Sequence, residues 1–153
     1  MARIYARKHG KARSTRPQIP AGWVEYSADE VEKLVVKLAR DGLQPAQIGL
    51  VLRDQYGIPL VRAVCGKTIT QILSENNLAP KIPSDIFNLL KKAVSLHAHL
   101  ESNKKDAHGI RAVELLESKI RRLAKYYVAE GKMPEGWRYD ANAAKLIVEK
   151  GEL

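Results

Sequence analysis

Residues 96–127 read LHAHLESNKKDAHGIRAVELLESKIRRLAKYY, and this stretch decides the fold, because it places a short polar cluster between two helical periodicities. His99, Lys104, Lys105, Asp106 and His108 crowd the turn. An α-helix advances about 100° per residue, so with Arg111 set at zero, Arg122 falls near 20°, Leu115 near 40°, Tyr126 near 60° and Lys119 near 80°. Those residues share one face. Leu123, Leu116, Tyr127, Ile120 and Val113 fall at roughly 120° to 200° on the same wheel, the continuous apolar stripe of a core-facing helix. Core and exposed cationic face are therefore adjacent but distinct.

The helix before the turn is expected over residues 84–100, with Ser84 as its cap and Ile86, Leu89, Leu90, Ala93, Val94, Leu96 and Leu100 on a broad apolar face. His97 falls inside that face and reads as a packed histidine. His99 points away from it, beside the turn, and is the better candidate for contact with a ligand.

Composition bounds the class of partner. The chain has 153 residues and 45% hydrophobic content, which suits one compact domain or two small ones. Its formal net charge is +9, which favours an anionic partner. The excess sits in two places. Residues 1–20 carry Arg3, Arg7, Lys8, Lys11, Arg13 and Arg16 with no acid, and residues 81–138 carry 12 bases against 7 acids. A single cysteine, Cys65, excludes an intrachain disulfide and a multi-cysteine metal site and fits a reducing compartment. No apolar run approaches the ~20 residues of a membrane span, and no secretory signal is evident. A soluble cytoplasmic protein without a cofactor is expected.

Along the chain, residues 1–20 have too little apolar content to fold alone and read as a disordered basic arm. A solvated tail is one reading. Folding on a polyanion is the other, favoured by Tyr5 and His9, since aromatic rings can stack on bases. Residues 21–80 form a small helical module. Ser27 and Glu30 make a capping box ahead of Val31, Leu34, Val35 and Leu38, and Gly42 stops that helix. Pro45 opens a second helix with Ile48, Val51, Leu52 and Tyr56 inward, ending at Gly57. A short apolar segment over 60–64 leads to a helix from about Lys67 to Glu75, and Asn76, Asn77, Pro80 and Pro83 mark a linker. Residues 81–153 hold the helix pair, a turn over 131–137 and a last short helix capped by Asp140. No segment sustains period-two alternation, so the architecture is all-α.

Catalysis finds little support. Histidines at i and i+2 of a helix diverge by about 200°, whereas the helical zinc motif needs i and i+4, so His97 and His99 do not share a metal. No phosphate loop, nucleophile elbow or paired-carboxylate site is evident. Asp85, Glu101, Glu114 and Glu117 read as solvated helix charges. A rival is a DNA-binding regulator, because LARDGLQPAQIGLVLRDQYG over 38–57 resembles a helix-turn-helix displaying Gln44, Gln47 and Arg53. Charge opposes it. Residues 27–57 hold 4 bases and 5 acids, and a groove-reading module must compensate phosphates.

The chain resembles, over essentially its whole length, the archaeal and eukaryotic long form of the small-subunit ribosomal protein S fifteen family. The residues that carry the likeness are His99-Leu100, Asp106, His108, Arg121-Arg122 and Tyr126-Tyr127, together with IGLVLRDQYGIP, VCGKTITQIL, NNLAPKIPSD and the later MPEGWRYD. The resemblance implies a helical-hairpin-based bundle that binds the central domain of small-subunit ribosomal RNA at a three-helix junction, aids assembly and lies near the bridge to the large subunit. It implies other ribosomal proteins as neighbours, and no membrane or small-molecule substrate. It also implies that His99, Asp106 and the residue at Gly109 face the RNA minor groove, which in A-form RNA is wide, shallow and open to a short turn. The bacterial pattern has serine where Gly109 stands. Asp106 would then accept from a base amino group or sugar hydroxyl, with helix capping as its alternative or additional role. Arg111 and Arg122 would hold phosphates, and Tyr126 would pack on a sugar or hydrogen-bond.

Overall fold

The computed structural model of the chain describes Ile19 and residues 21–150. Among these residues there are seven helices and no strand, as the absence of period-two alternation predicts. The chain divides between Ala79 and Pro80 into two compact units.

The first unit contains α1 (Ala28–Arg40), α2 (Pro45–Gln55), α3 (Val61–Cys65) and α4 (Ile69–Glu75). Ser27 and Glu30 form the expected capping box, the Ser27 amide donating to the Glu30 carboxylate at 2.9 Å. Gly42, at φ +83°, turns the chain out of α1 into a conformation that side-chain-bearing residues resist. Val31, Val35, Ile48, Leu52 and Ile72 are fully buried in one core. Two expectations need correction. The apolar segment over 60–64 is largely the five-residue helix α3, too short for a helical period to register in sequence, and Val61 buries its apolar face. Lys67 precedes α4 rather than starting it: Thr68 caps the helix with Gln71, and the Lys67 ammonium bridges Glu32 at 3.2 Å and Glu75 at 2.9 Å.

The second unit contains α5 (Ser84–Ser102), α6 (Ala107–Ala129) and α7 (Ala141–Glu149). Ser84 does not cap α5. Pro83 occupies the cap position without a side-chain hydrogen bond, and Ser84 is the first helical residue. Helices α5 and α6 run antiparallel, burying Ile86, Leu90 and Ala93 with Leu116, Ile120, Leu123 and Ala124. Phe87, absent from the expected stripe, is also fully buried. At the far end from the turn, the Tyr127 hydroxyl donates to Asp85 at 2.5 Å, tying the end of α6 to the start of α5. Burial and that carboxylate together hold the Tyr127 phenol well above its ordinary range. Asp140 caps α7 by accepting the Ala143 amide at 2.9 Å, and Lys145 reaches Glu101 on α5 at 3.0 Å.

The reading of Asp85 and Glu117 as merely solvated charges is therefore corrected. Asp85 takes the Tyr127 hydroxyl and also accepts the Ile86 amide at 2.8 Å. Glu117, 19% exposed at its side chain, accepts from Arg121 at 2.8 Å and lies 3.4 Å from His97 Nε2. That nitrogen is buried and makes no hydrogen bond, although it lies beside the Glu117 carboxylate. His97 is packed, as its place in the apolar face predicts.

Ile120→Ala removes a fully buried side chain from the α5–α6 contact, and should cost about 2–5 kcal/mol in urea unfolding. Glu114→Ala, at an exposed pair, should stay within about 0.5 kcal/mol of the parent.

Candidate nucleic-acid interface

The turn between α5 and α6 is closed by three polar residues, His99, Asn103 and Asp106, and the backbone amide of Gly109. Helix α5 ends with the Asn103 amide donating to the His99 carbonyl at 2.9 Å, and the Asp106 amide then donates to the Asn103 carbonyl at 3.1 Å. The side chains add a second layer. Asn103 Nδ2 lies 3.3 Å from His99 Nδ1 and 3.1 Å from the His99 carbonyl, and His99 Nε2 lies 3.1 Å from Asp106 Oδ2. An amide nitrogen can only donate, so the tautomer that completes both contacts has His99 Nδ1 accepting from Asn103 and Nε2–H donating to Asp106. The other carboxylate oxygen, Oδ1, accepts the Gly109 amide at 2.9 Å and caps α6. Asp106 is thus a helix cap, and its carboxylate oxygens retain lone pairs beyond those used here.

Gly109 is buried for a steric reason. A Cβ at that position would stand 2.7 Å from Asp106 Oδ2 and 3.0 Å from Leu100 Cδ2. Any side chain there would have to displace the carboxylate from its present seat.

Lys104, Lys105 and His108 are exposed around this turn and form no ion pair among the described residues. Arg111, Arg122 and Tyr126 lie along α6 as the wheel places them: Arg111 and Tyr126 exposed, Arg122 partly covered. Arg111 is engaged with Glu114 at 2.7 Å, an exposed pair that a phosphate can displace at little cost. Arg122 has no ion pair among the described residues. Tyr126 is 51% exposed and stacks obliquely on Tyr127, ring centroids 5.2 Å apart. With a rise of 1.5 Å per residue, Arg122 stands about 24 Å along the helix from Asp106, so the candidate residues form two clusters rather than one. Arg3, Arg7, Lys8, Lys11, Arg13 and Arg16 lie outside the described residues.

Asn103 was missed by sequence reasoning, although an asparagine at the exit of a helix is a signal for side-chain hydrogen bonding back to the last turn. In the first unit, the helix-turn-helix residues are engaged locally. The Gln47 side chain accepts the Gln44 amide at 3.0 Å, and the Arg53 guanidinium is held by Asp54 at 2.7 Å and 3.1 Å. Among the described residues no group of three or more histidine, cysteine or acidic side chains could hold a metal ion, and no helix is long and apolar enough to cross a membrane.

The Asp106 carboxyl is held below its ordinary value of 3.8, first by the Gly109 amide and then by the His99 side chain. Because the folded value is depressed, this contribution to stability is fully present above 3.8 and is lost as pH falls through the lower folded value. The Gly109 amide proton shift, followed by NMR, should titrate with a midpoint below 3.8. A midpoint at or above it would contradict the cap.

Comparison with known proteins matches both halves of the chain. Residues 1–58 match a ribosomal S13/S15 N-terminal domain, and residues 69–147 match ribosomal protein S15. Small ribosomal subunit protein uS15 of Hyperthermus butylicus is 48% identical, covering 95% of this chain and 91% of the relative. The uS15 of Methanocella arvoryzae is 47% identical over 98% of this chain and the whole relative, and that of Methanobrevibacter smithii is 50% identical over 83% of this chain and 96% of its own. The family is not an enzymatic one. The helix pair, its polar turn and these matches together place the chain in the ribosomal protein S15 family, that of the small ribosomal subunit protein uS15.

Proposed function

We propose that this chain is a structural protein of the small ribosomal subunit in the cytoplasm, binding the central domain of small-subunit ribosomal RNA at a three-helix junction. The observation that carries this reading is the locked turn. Asn103, His99, Asp106 and Gly109 hold one another on a protruding corner flanked by Lys104, Lys105 and His108, with no ion pair to those lysines among the described residues. Such a corner can enter the shallow minor groove of A-form RNA with its polar groups already ordered, so little conformational entropy is lost on binding. In this reading His99 and Asp106 touch base edges or sugar hydroxyls. The Gly109 backbone lies close to the groove with Arg111 beside it on the phosphates, and Arg122 and Tyr126 engage a second stretch of RNA about two dozen ångström or more away.

Three parts divide the work. Residues 1–20 act as a basic arm following RNA phosphates through Arg3, Arg7, Lys8, Lys11, Arg13 and Arg16, residues 21–80 as a protein-facing helical module, and residues 81–153 as the RNA-binding bundle. Other ribosomal proteins and the large subunit, at a bridge, are the remaining neighbours. Assembly is aided because clamping three RNA helices at their junction favours the folded junction over its open forms by mass action.

Asp106→Ala should weaken binding to a central-domain three-helix junction about tenfold while leaving binding to an unrelated RNA duplex nearly unchanged. Equal losses on both would remove Asp106 as a source of specificity. Arg122→Ala should weaken both RNAs and reduce the slope of log affinity against log salt by about one. Deletion of residues 1–20 should impair retention in ribosomal particles more than thermal unfolding, and unchanged retention would favour a solvated tail.

A further inference from the structure

A groove runs beside the C-terminal half of α6, next to the face that carries Arg122 and Tyr126. Ala124, Val128 and Ala129 line it from the helix, and the segment 136–139 lines it from across, enclosing about 640 Å³. With Arg111 again at zero, Ala124, Val128, Arg121 and Lys125 fall between about 220° and 320°, whereas Arg122 and Tyr126 fall near 20° and 60°. The groove therefore lies on the adjoining face. The opposite wall is firm, because Trp137 and Tyr139 are half-buried and pack on the core of the second unit. Gly136, at φ +79°, makes the turn that returns Trp137 to the helix, and the Trp137 amide closes it by donating to the Pro134 carbonyl at 3.2 Å.

Its charged lining is entirely cationic: Arg121, Lys125 and Arg138. Arg121 is committed, held by Glu117 at 2.8 Å with its guanidinium 5.8 Å from the Tyr139 ring centre. Lys125 and Arg138 are exposed and have no ion pair among the described residues. An apolar slot with an aromatic wall and two unneutralised cations matches a nucleotide, whose base has an apolar face and whose phosphate needs a counter-charge. An acidic peptide would satisfy the cations but leave the aromatic slot unfilled.

We infer that this groove takes an unstacked nucleotide of RNA, its base in the slot beside Trp137 and its phosphate on Lys125 and Arg138. The inference rests on the RNA-binding reading above and adds a third contact, independent of the α5–α6 turn. Lys125 lies about 60° around α6 from Arg122, so an RNA strand crossing the Arg122 face can continue into the groove.

The test uses the full chain carrying Trp23→Phe, which removes the exposed Trp23 and leaves Trp137 as the sole tryptophan. Titration with a central-domain ribosomal RNA fragment should quench Trp137 fluorescence as a base stacks nearby. The double variant Lys125→Glu, Arg138→Glu should lose about tenfold or more in affinity and most of the quenching, with its melting temperature unchanged. Arg121 and the core are left intact, so misfolding is not expected to intervene. RNA binding that is sensitive to Asp106→Ala but leaves both Trp137 emission and the double variant's affinity unaltered would overturn this inference alone. Failure of the parent to bind the fragment at all would overturn it together with the reading on which it rests. Quenching by a poly-glutamate peptide in place of RNA would overturn it in favour of a protein partner.

Discussion

Burial of Ile86, Leu90 and Ala93 with Leu116, Ile120 and Leu123 sets α5 and α6 antiparallel, and the interface depends on that packing. Once those stripes meet, the two helix ends at residues 99 and 106 are brought within hydrogen-bonding distance, and the polar turn between them has little freedom left. The opposite end is fixed by Tyr127 on Asp85. A helix pair pinned at both ends and along its length presents its outward face as a rigid surface, which favours recognition of a partner that is itself folded.

The electrostatics follow the same division. Several acids at α6 are engaged within the second unit: Asp85 on Tyr127, Glu117 on Arg121 and beside His97, Asp106 on Gly109 and His99. Cations at the turn and on the outer faces are left largely unneutralised. Lys104, Lys105, Arg122, Lys125 and Arg138 have no ion pair among the described residues, so the net positive charge of this half is concentrated at its surface. That distribution suits counterion release on binding RNA better than the formal total of +9 alone suggests.

At Gly109 the absence of a side chain has a physical consequence: the Asp106 carboxylate sits where a Cβ would be 2.7 Å away. The carboxylate then caps α6 and holds a hydrogen bond with His99 at once.

Periodicity alone determined the all-α character and six of the seven helices in outline, the inward stripe of α6, the packed place of His97 and the outward face of Arg111, Arg122 and Tyr126. These are consequences of a fixed angular step per residue, which a single chain carries in its own order. Capping residues Ser27, Asp106 and Asp140 were legible for the same reason, since their partners lie three residues away. What sequence could not supply were the contacts between distant positions. The Tyr127–Asp85 bond, the seating of Glu117 beside His97, the His99–Asp106 contact across the turn and the groove between α6 and Trp137 all join residues whose proximity exists only after the helices pack. Helix α3 was missed because five residues are shorter than two helical turns. Local rules set which faces exist. Tertiary packing decided which groups meet across them, because a hydrogen bond acts over about 3 Å of space and takes no account of separation along the chain.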